Sequence, residues 1–165
     1  MKKLWFIFMS ILMVCSSGYA QNIIEFRLVC SDKSDCIETV YEKGEALYIE
    51  QIPVIKSLDI EEAKVFSSEL PEEFIKKMQE QGVHVGPTQY GVEIKFTQEG
   101  AAKLKQITQE NIKRRLAIVL NGNVLTAPII LEPITGGVVQ VSGQYTKEQT
   151  EEIAAKINQS LTVNK

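Results

Sequence analysis

The chain has 165 residues, of which 44% are hydrophobic and 24% charged, and its formal net charge at pH 7 is −3. That length and composition suit a globular domain with enough chain to bury a core. The acidic balance argues against binding to nucleic acid or to an anionic membrane, because both need a dense basic surface.

The start of the chain has the pattern of a Sec signal peptide. Lys2 and Lys3 precede an apolar run from Leu4 to Val14, and small residues follow that run. An apolar run of about 11 residues is too short to cross a bilayer, which needs roughly 20. The pattern therefore indicates a cleaved leader rather than a membrane anchor.

The leader predicts export to the periplasm or out of the cell. We expect cleavage between Ala20 and Gln21, which leaves residues 21–165 as one exported domain without a membrane span. A lipoprotein site at Cys15 is the alternative. It is disfavoured because the branched Val14 stands where such sites usually carry a small residue.

The next segment, residues 22–30, alternates apolar and polar side chains and so predicts a strand. Cys30 ends it, and Cys36 follows after five residues. A pair of cysteines in an exported chain favours a disulfide, which would stabilise so short a loop by roughly 2 kcal/mol. A redox or metal site with Asp32 and Asp35 is the alternative, but these residues have no histidine beside them.

Three further elements are predicted before residue 70. Ala46 to Ile52 reads as a strand that ends at a proline. Asp59 and Glu62 are suited to cap a short helix from Ile60 to Lys64. Val65 to Ser67 is then a further short strand.

A helix from Pro71 to Gln81 is predicted next. Proline suits the first helical turn, and Gly82 suits the residue after the last one. Its inward stripe is Phe74, Ile75 and Met78. Residues 83–89 then read as a loop or frayed strand.

From residue 90 the pattern alternates clearly between strand and helix. Residues 90–97 alternate with a period of two, which predicts a half-buried strand. Thr97 is placed to cap a helix that runs from Gln98 to Lys113. The inner stripe of this helix is Ala101, Leu104, Ile107 and Thr108.

The most apolar segment of the exported part is Leu116 to Leu120, which predicts a central strand covered on both faces. Asn121 to Asn123 is a tight hairpin signal, because Asn and Gly tolerate positive φ. Val124 to Leu131 returns as a strand. Pro128 lacks an N–H, so it should lie at an edge, a bulge or the end of that strand.

A last strand and helix complete the chain. Gly136 and Gly137 make a turn, and Val139 and Val141 alternate with polar residues. Thr146 and Gln149 form a capping box for the final helix. The inner face of that helix is Ile153, Ala154, Ile157 and Leu161.

The order of these elements predicts the fold class. From residue 90 it is strand, helix, strand, strand, strand, helix, which is close to a ferredoxin-like split arrangement. We therefore expect an α+β fold with an antiparallel or mixed sheet and helices packed on one face.

Several segments together resemble the head subdomain of the first periplasmic region of SecD, a subunit of the SecDF protein-export machinery. The likeness is best over residues 90–160, and Gly44 to Val65 resembles the approach to that head. The segments that carry it are FTQEGAAKLKQIT, RLAIVLNGNVLTAPII, ITGGVVQVSG and YTKEQTEEIAAKI.

The chain departs from the SecD pattern in three ways. Asn121 stands where the family usually has Asp, and residues 66–89 are a local elaboration. The membrane portion, which in the family couples proton flow to movement, is not in this sequence. A chain without that portion can inherit the recognition role of the head but not its motor.

The resemblance implies a non-catalytic module that binds polypeptide, beside the Sec machinery or independently of it. Its partners would then be extended or unfolded exported polypeptides, Sec components or other envelope proteins. Two alternatives stay open: an exported module that binds a folded envelope partner, and an uncharacterised hydrolase or inhibitor.

No catalytic set is evident in the sequence. His84 is the only histidine, and no cysteine or serine forms a nucleophile motif with it. A phosphate-binding Gly-Lys loop, a nucleophile elbow and an HExxH motif are all missing from the sequence. We therefore assign no catalytic, cofactor-binding or metal-binding residue. Lys113 to Arg115, the densest basic patch, suits a helix C-terminus better than a phosphate site.

The candidate binding edge follows from the returning strand. An exposed strand edge binds extended polypeptide through backbone hydrogen bonds, without requiring one sequence. Pro128 would interrupt pairing along this strand and so leave part of it as an edge. The alternative is that Pro128 only ends the strand beside a loop. The edge residues are Val124, Leu125, Thr126, Ala127, Pro128 and Ile129.

Overall fold

The computed structural model describes residues 23–41 and 44–162. The predicted leader, with its cleavage site between Ala20 and Gln21, lies outside these ranges. The elements of the described chain are β1 (Ile24–Leu28), β2 (Cys36–Val40), β3 (Ala46–Glu50), β4 (Ile55–Lys56), β5 (Ile60–Glu69), α1 (Glu72–Glu80), β6 (Thr88–Phe96), α2 (Gln98–Glu110), β7 (Leu116–Leu120), β8 (Asn123–Thr126), β9 (Val138–Ser142) and α3 (Lys147–Thr162).

The strands form three sheets. One has the order β4-β1-β7-β8, another the order β5-β6-β9, and β2 pairs only with β3 in the third. The ladders between these strands are all antiparallel. The fold is α+β, as predicted, and the predicted order of elements from β6 onward is present. β6 and β7 belong to different sheets, because β7 pairs with β1 and β8.

The main core lies where the two larger sheets and the helices α2 and α3 meet. Phe26 of β1 and Phe96 of β6 touch edge to face, with ring centroids 5.5 Å apart. Leu104 of α2 and Ile157 of α3 are fully buried in this core. The burial of each such side chain contributes about 1.5–3 kcal/mol to the stability of the fold, so this contact region holds the sheets together.

The strand β7 is buried on both faces, as its continuous apolar sequence predicts. Leu116, Ile118 and Leu120 point into the main core. Ala117 and Val119 point the other way, into a second apolar cluster formed with the β2–β3 hairpin. The hairpin therefore covers the face of the four-stranded sheet that would otherwise meet water.

A disulfide joins Cys30 and Cys36, as predicted. Cys30 follows β1, and Cys36 begins β2, so the bond ties the covering hairpin to the sheet that it covers. The hairpin has a second attachment there, because the Cys30 N–H donates to the Tyr48 carbonyl at 2.9 Å.

Side-chain caps begin α2 and α3 where the sequence predicts them. The Thr97 hydroxyl accepts the Gly100 N–H at 3.0 Å. Thr146 and Gln149 form the capping box in both directions, at 2.8 and 3.2 Å. Each cap satisfies N–H groups that a helix leaves without a partner.

The helix α2 ends at Glu110, three residues before the predicted end at Lys113. The Asn111 side chain donates to the Ile107 carbonyl at 2.8 Å and so takes the place of the next helical bond. Lys113 then adopts a positive φ of 69°, which is incompatible with a helix.

The predicted helix from Ile60 to Lys64 is wrong. These residues begin β5, which pairs with β6 along nearly its whole length. Asp59 does hold a turn, but through the Lys56 N–H at 2.8 Å, in the short 3-10 helix Ser57–Asp59 before the strand. Pairing with a strand about 30 residues away prevailed over the local capping signal, because tertiary context overrides weak helix propensity.

Two other expectations need correction. The stripe Phe74, Ile75 and Met78 of α1 was predicted to face inward, yet α1 has no buried residue. The strand predicted from Val124 to Leu131 ends at Thr126 as β8. Pro128 therefore lies beyond the strand, and its carbonyl accepts the Leu116 N–H at 2.9 Å.

An asparagine caps one sheet edge. The Ala63 N–H of β5 donates to Asn158 Oδ1 at 2.9 Å, and Asn158 Nδ2 donates to the Ala63 carbonyl at 2.8 Å. The side-chain amide of α3 thus bonds to this residue as a neighbouring strand would, and it fixes α3 against β5.

The central position of β7 yields a stability prediction. Replacing Ile118, which is 1% exposed, with Ala should lower the free energy of unfolding by about 2–5 kcal/mol, because the cavity cannot collapse in a strand packed on both sides. Chemical denaturation measures this change. Ile52→Ala is the matched control, since Ile52 is 76% exposed and its truncation should change stability by less than about 0.5 kcal/mol. Equal midpoints for the two variants would contradict the assignment of β7 as the central strand.

Candidate functional site

The predicted binding edge begins on β8, which is one of the two edge strands of the four-stranded sheet. Val124 is buried and bridges to Tyr41 beside it. The Leu125 carbonyl accepts the Tyr145 hydroxyl at 3.2 Å. Part of this edge is therefore already paired within the chain.

The residues after β8 are similarly engaged. The Ala127 carbonyl accepts Arg115 Nε at 2.8 Å, and Ala127 itself is buried. Ile129 is exposed but bridges to Arg115. Thr126, half-buried and paired with Ile118, has no other described hydrogen bond, so the open stretch of this edge is short.

A groove that Tyr145 also lines is a second candidate surface. It encloses about 430 Å³ and lies between α1, the segment before β6 and the turn that joins β9 to α3. We call it the α1 groove. Its apolar walls are Leu70, Phe74, Met78, Val85 and Tyr145.

The stripe on α1 forms one wall of this groove. Phe74 and Met78 are one helical turn apart and so lie on the same face of α1. Phe74 remains 45% exposed, and Met78 is half-buried. The apolar stripe that the sequence predicts as core is thus available to a ligand.

No sequence pattern directly predicts the α1 groove. Its lining comes from residues 70–89 and residues 143–146, which are far apart in the chain. Only the pairing of β6 with β9 brings these segments together. A sign was available in α1, whose apolar stripe is flanked by charged residues and is too narrow to demand full burial.

His84 lies exposed on the wall of the α1 groove. Among the described residues, no hydrogen bond or ion pair reaches its side chain. The groove also contains Gln89, Gln144 and Thr146, which offer polar contacts but no strong nucleophile. In the described ranges no group of three His, Cys, Asp or Glu side chains is placed to hold a metal ion.

Displaced pKa values occur outside the groove and have surface causes. A hydrogen bond from Lys64 lowers the pKa of Glu62, and a hydrogen bond to Glu61 raises the pKa of Lys95. The pKa of Glu152 is lowered by Lys156 one turn away. The pKa of Glu148 is lowered chiefly by backbone N–H bonding at the start of α3. These are structural pairs and a helix cap rather than an acid–base couple.

The basic patch Lys113–Arg115 is bound to other parts of the chain. Arg114 pairs with Glu50 at 2.5 Å and also donates to Asn111 Oδ1 at 2.9 Å. Arg115 bonds to the segment after β8. Two of the three cations thus contribute to internal contacts instead of forming an anion site.

In the described part of the chain no helix is both long and apolar enough to cross a bilayer.

Comparison with known families gives one match over most of the chain. The sequence model of the family described as "SecDF, P1 head subdomain" matches residues 34–163. That range includes the elements from β2 to α3, and with them the α1 groove and β8.

Similar proteins include translocase subunits from several bacteria. Over 63 residues the chain is 49% identical to protein translocase subunit SecDF of Thermus thermophilus and 48% identical to protein translocase subunit SecD of Magnetococcus marinus. Each match covers 38% of this chain but only 9% and 12% of those relatives. The chain therefore spans only a small part of the curated relatives that it matches.

Solved structures give the same likeness. One is described as a membrane component SecDF that enhances protein export, with a TM-score of 0.58. Another is SecDF in a super-membrane-facing form, with a TM-score of 0.59. Both are 26% identical and cover 86% of this chain, and the chain covers 64% and 19% of them.

The hydrogen bond between the groove wall and β8 gives a second prediction. Tyr145→Phe removes the hydroxyl that bonds to Leu125 and keeps the ring, so it should lower the free energy of unfolding by about 0.5–1.5 kcal/mol. Tyr48→Phe is the control, because its hydroxyl bonds to Glu38 at the exposed surface. Thermal denaturation of both variants measures the difference. A larger loss for Tyr48→Phe would contradict a role for Tyr145 in joining the two surfaces.

Proposed function

This chain belongs to the SecDF P1 head subdomain family, and we propose that it is a non-catalytic module that binds exported polypeptide. The family membership makes it a SecD-like module of protein export. The binding of unfolded chains, the periplasmic location and the action beside Sec components are parts of the proposal.

The observation that carries the proposal is the α1 groove. It is open, its volume of about 430 Å³ lies within the range of ligand sites, and it presents Phe74 and Met78 to solvent. Methionine adapts to differently shaped partners, and an aromatic ring gives contact area at low cost in side-chain entropy. Such a surface can hold varied apolar side chains, which suits an unfolded client.

The folded-partner alternative has its own supporting observation. Ile112, Ile129 and Leu131 are exposed, and Leu131 is 81% exposed. The Lys113 N–H donates to the Ile130 carbonyl at 2.8 Å, so these side chains belong to adjacent segments. An exposed apolar patch of this kind suits a folded surface better than an extended chain. No observation among the described residues favours a hydrolase or an inhibitor.

The proposal is tested by titrating residues 21–165 with a labelled, reduced and carboxymethylated protein and with the same protein in its folded form. We expect weak binding of the unfolded form only, because the ordering of a flexible client offsets much of the contact energy. Fluorescence anisotropy measures both affinities. Equal binding of the two forms, or no binding of either at high micromolar concentration, would remove this function and leave the folded-partner alternative.

A pair of variants links that binding to the groove. Phe74→Asp should weaken binding of the unfolded client about tenfold. The substitution removes the ring contact, and it places in the groove a carboxylate whose desolvation opposes binding. Leu58→Asp is the matched control, since Leu58 is also exposed but lies beyond the opposite end of β5. Circular dichroism confirms that both variants fold. An equal effect of the two substitutions would exclude the α1 groove as the site.

Export predicts a defined N-terminus. The mass of the protein isolated from the envelope fraction should correspond to a chain that begins at Gln21, with the Cys30–Cys36 disulfide formed. A lipid adduct on Cys15, or a retained Met1, would contradict this part of the proposal. Free thiols at Cys30 and Cys36 would contradict an oxidising location.

A further inference from the structure

The outer edge of β5 has backbone groups that no neighbouring strand uses. Both hydrogen-bonding groups of Ala63 go to the Asn158 amide, so Ala63 cannot exchange them with β6. In an antiparallel ladder the residues alternate between pointing at the partner strand and pointing away. Ala63 is therefore one of the residues that point away from β6.

The rest of β5 follows from this alternation. Its ladder with β6 has no irregularity after Glu62. The backbone N–H and C=O groups of Val65, Ser67 and Glu69 therefore point away from β6, as those of Ala63 do. The Leu70 N–H donates to the Pro87 carbonyl at 2.8 Å. Leu70 thus directs its backbone toward the chain that leads into β6, so its neighbour Glu69 directs its own backbone away, as the alternation requires. Within the described chain, no hydrogen bond reaches the backbone of these three residues.

This open stretch differs from the two edges of the four-stranded sheet. The β8 edge is engaged at Leu125 and Ala127, and β4 at the far side of that sheet has only two residues. On β5 the Asn158 amide caps only Ala63. The outward backbone groups of Val65, Ser67 and Glu69 remain open. Natural proteins usually cover or shorten such an edge, because it binds further strands.

The side chains along the edge indicate what would bind there. Phe66 lies across Gly91 of β6, where a Cβ atom would come within 2.5 Å of the ring. The half-buried ring gives an apolar position on the outer face of the sheet. Lys64 is paired with Glu62 at 2.7 Å, so its charge is partly compensated and repels a basic partner less.

The end of the edge near α1 is acidic. Glu69, Glu72 and Glu73 are exposed, and none of them forms a salt bridge within the described ranges. Lys76 and Lys77 lie one turn further along α1 without an ion pair to these acids. The three carboxylates beside free backbone groups therefore favour a segment that carries lysine or arginine there. A second copy of this acidic chain fits less well, since its own β5 would bring further carboxylates.

We propose that Val65–Glu69 of β5 is a strand-addition site for an extended polypeptide segment, with an apolar residue beside Phe66 and a basic residue toward α1. The proposal rests on the proposed function and specifies its binding mode. Backbone pairing would supply affinity without a required sequence, and the carboxylates would select the charge at one end.

The experiment uses residues 21–165 and a fluorescein-labelled eight-residue peptide of alternating valine and threonine with two lysines at one end. Ser67→Pro removes the outward N–H and should weaken binding about tenfold, because a backbone bond is lost and the ring obstructs the edge. Ser67→Ala keeps that N–H and should leave the affinity within about twofold. Circular dichroism and thermal denaturation establish that both variants are folded.

A second measurement does not depend on the variants. The same peptide, N-methylated at alternate residues, keeps its side chains but loses the donors that face the edge. The wild-type protein should bind it at least about tenfold more weakly. Equal affinity for the two peptides, or unchanged binding by folded Ser67→Pro, would overturn the β5 edge.

Two further arms separate the alternatives. A peptide with glutamates in place of the lysines should bind more weakly to the wild-type protein. The double variant Glu69→Lys, Glu72→Lys should instead prefer the glutamate peptide, and an unchanged preference would remove the charge selection from the proposal.

If sedimentation shows a dimer that Ser67→Pro abolishes, the edge belongs to a second copy and the proposed occupant is wrong. If the unfolded client binds but the edge variants have no effect, the proposed function stands while this inference fails.

Discussion

The burial of β7 on both faces is the constraint from which most of the fold follows. All five side chains from Leu116 to Leu120 are buried, three in the main core and two in the second cluster. A strand of this kind needs a cover on each side, and helices and the second sheet cover only one. The β2–β3 hairpin supplies the other cover, and the Cys30–Cys36 disulfide attaches it. The position of β8 at the sheet margin, and its contact with Tyr41, follow from the same arrangement.

Local signals were sufficient where the physics is local. The Thr97 cap and the Thr146–Gln149 capping box involve groups within one helical turn, and both are present. Asn121 and Gly122 have positive φ in the turn after β7, as their residue types predict. The apolar run of β7 likewise needs no knowledge of its partners to indicate burial on two faces.

The sequence was misleading where distant pairing decides the structure. Asp59 and Glu62 are placed as a helix cap would be, but the ladder between β5 and β6 prevailed. The stripe on α1 has a helical spacing that cannot distinguish a core from a groove wall. The groove and the open β5 edge depend on which strands become neighbours, and no short-range pattern specifies that. The two proposed binding surfaces were therefore harder to predict from the sequence than the helices and the central strand.

The segment from the end of β5 to the start of β6 contributes to both surfaces to which we assign binding. β5 and β6 pair as far as Glu69 and Thr88, whereas β9 pairs with β6 only from Gly91 onward. The end of the β5–β6 hairpin therefore has no third strand, and α1 packs beside it on one side only. The α1 groove forms on the side of β9, whereas the β5 edge faces the other way. Both proposed surfaces thus involve the β5–β6 hairpin and the helix α1 that it carries, and α1 has no buried residue.

The asparagine at position 158 has a chemical consequence for the lifetime of the protein. Its amide meets one donor and one acceptor of Ala63, and only a carboxamide offers both in that geometry. Deamidation to aspartate, a slow reaction of asparagine in ageing proteins, would leave a carboxylate oxygen facing the Ala63 carbonyl at hydrogen-bond distance. Two acceptors cannot share that distance without a proton between them, so the cap would open and lengthen the exposed edge by one residue pair. An aged sample would then be more prone to associate through β5 than a fresh one, although it differs from it by a single atom group.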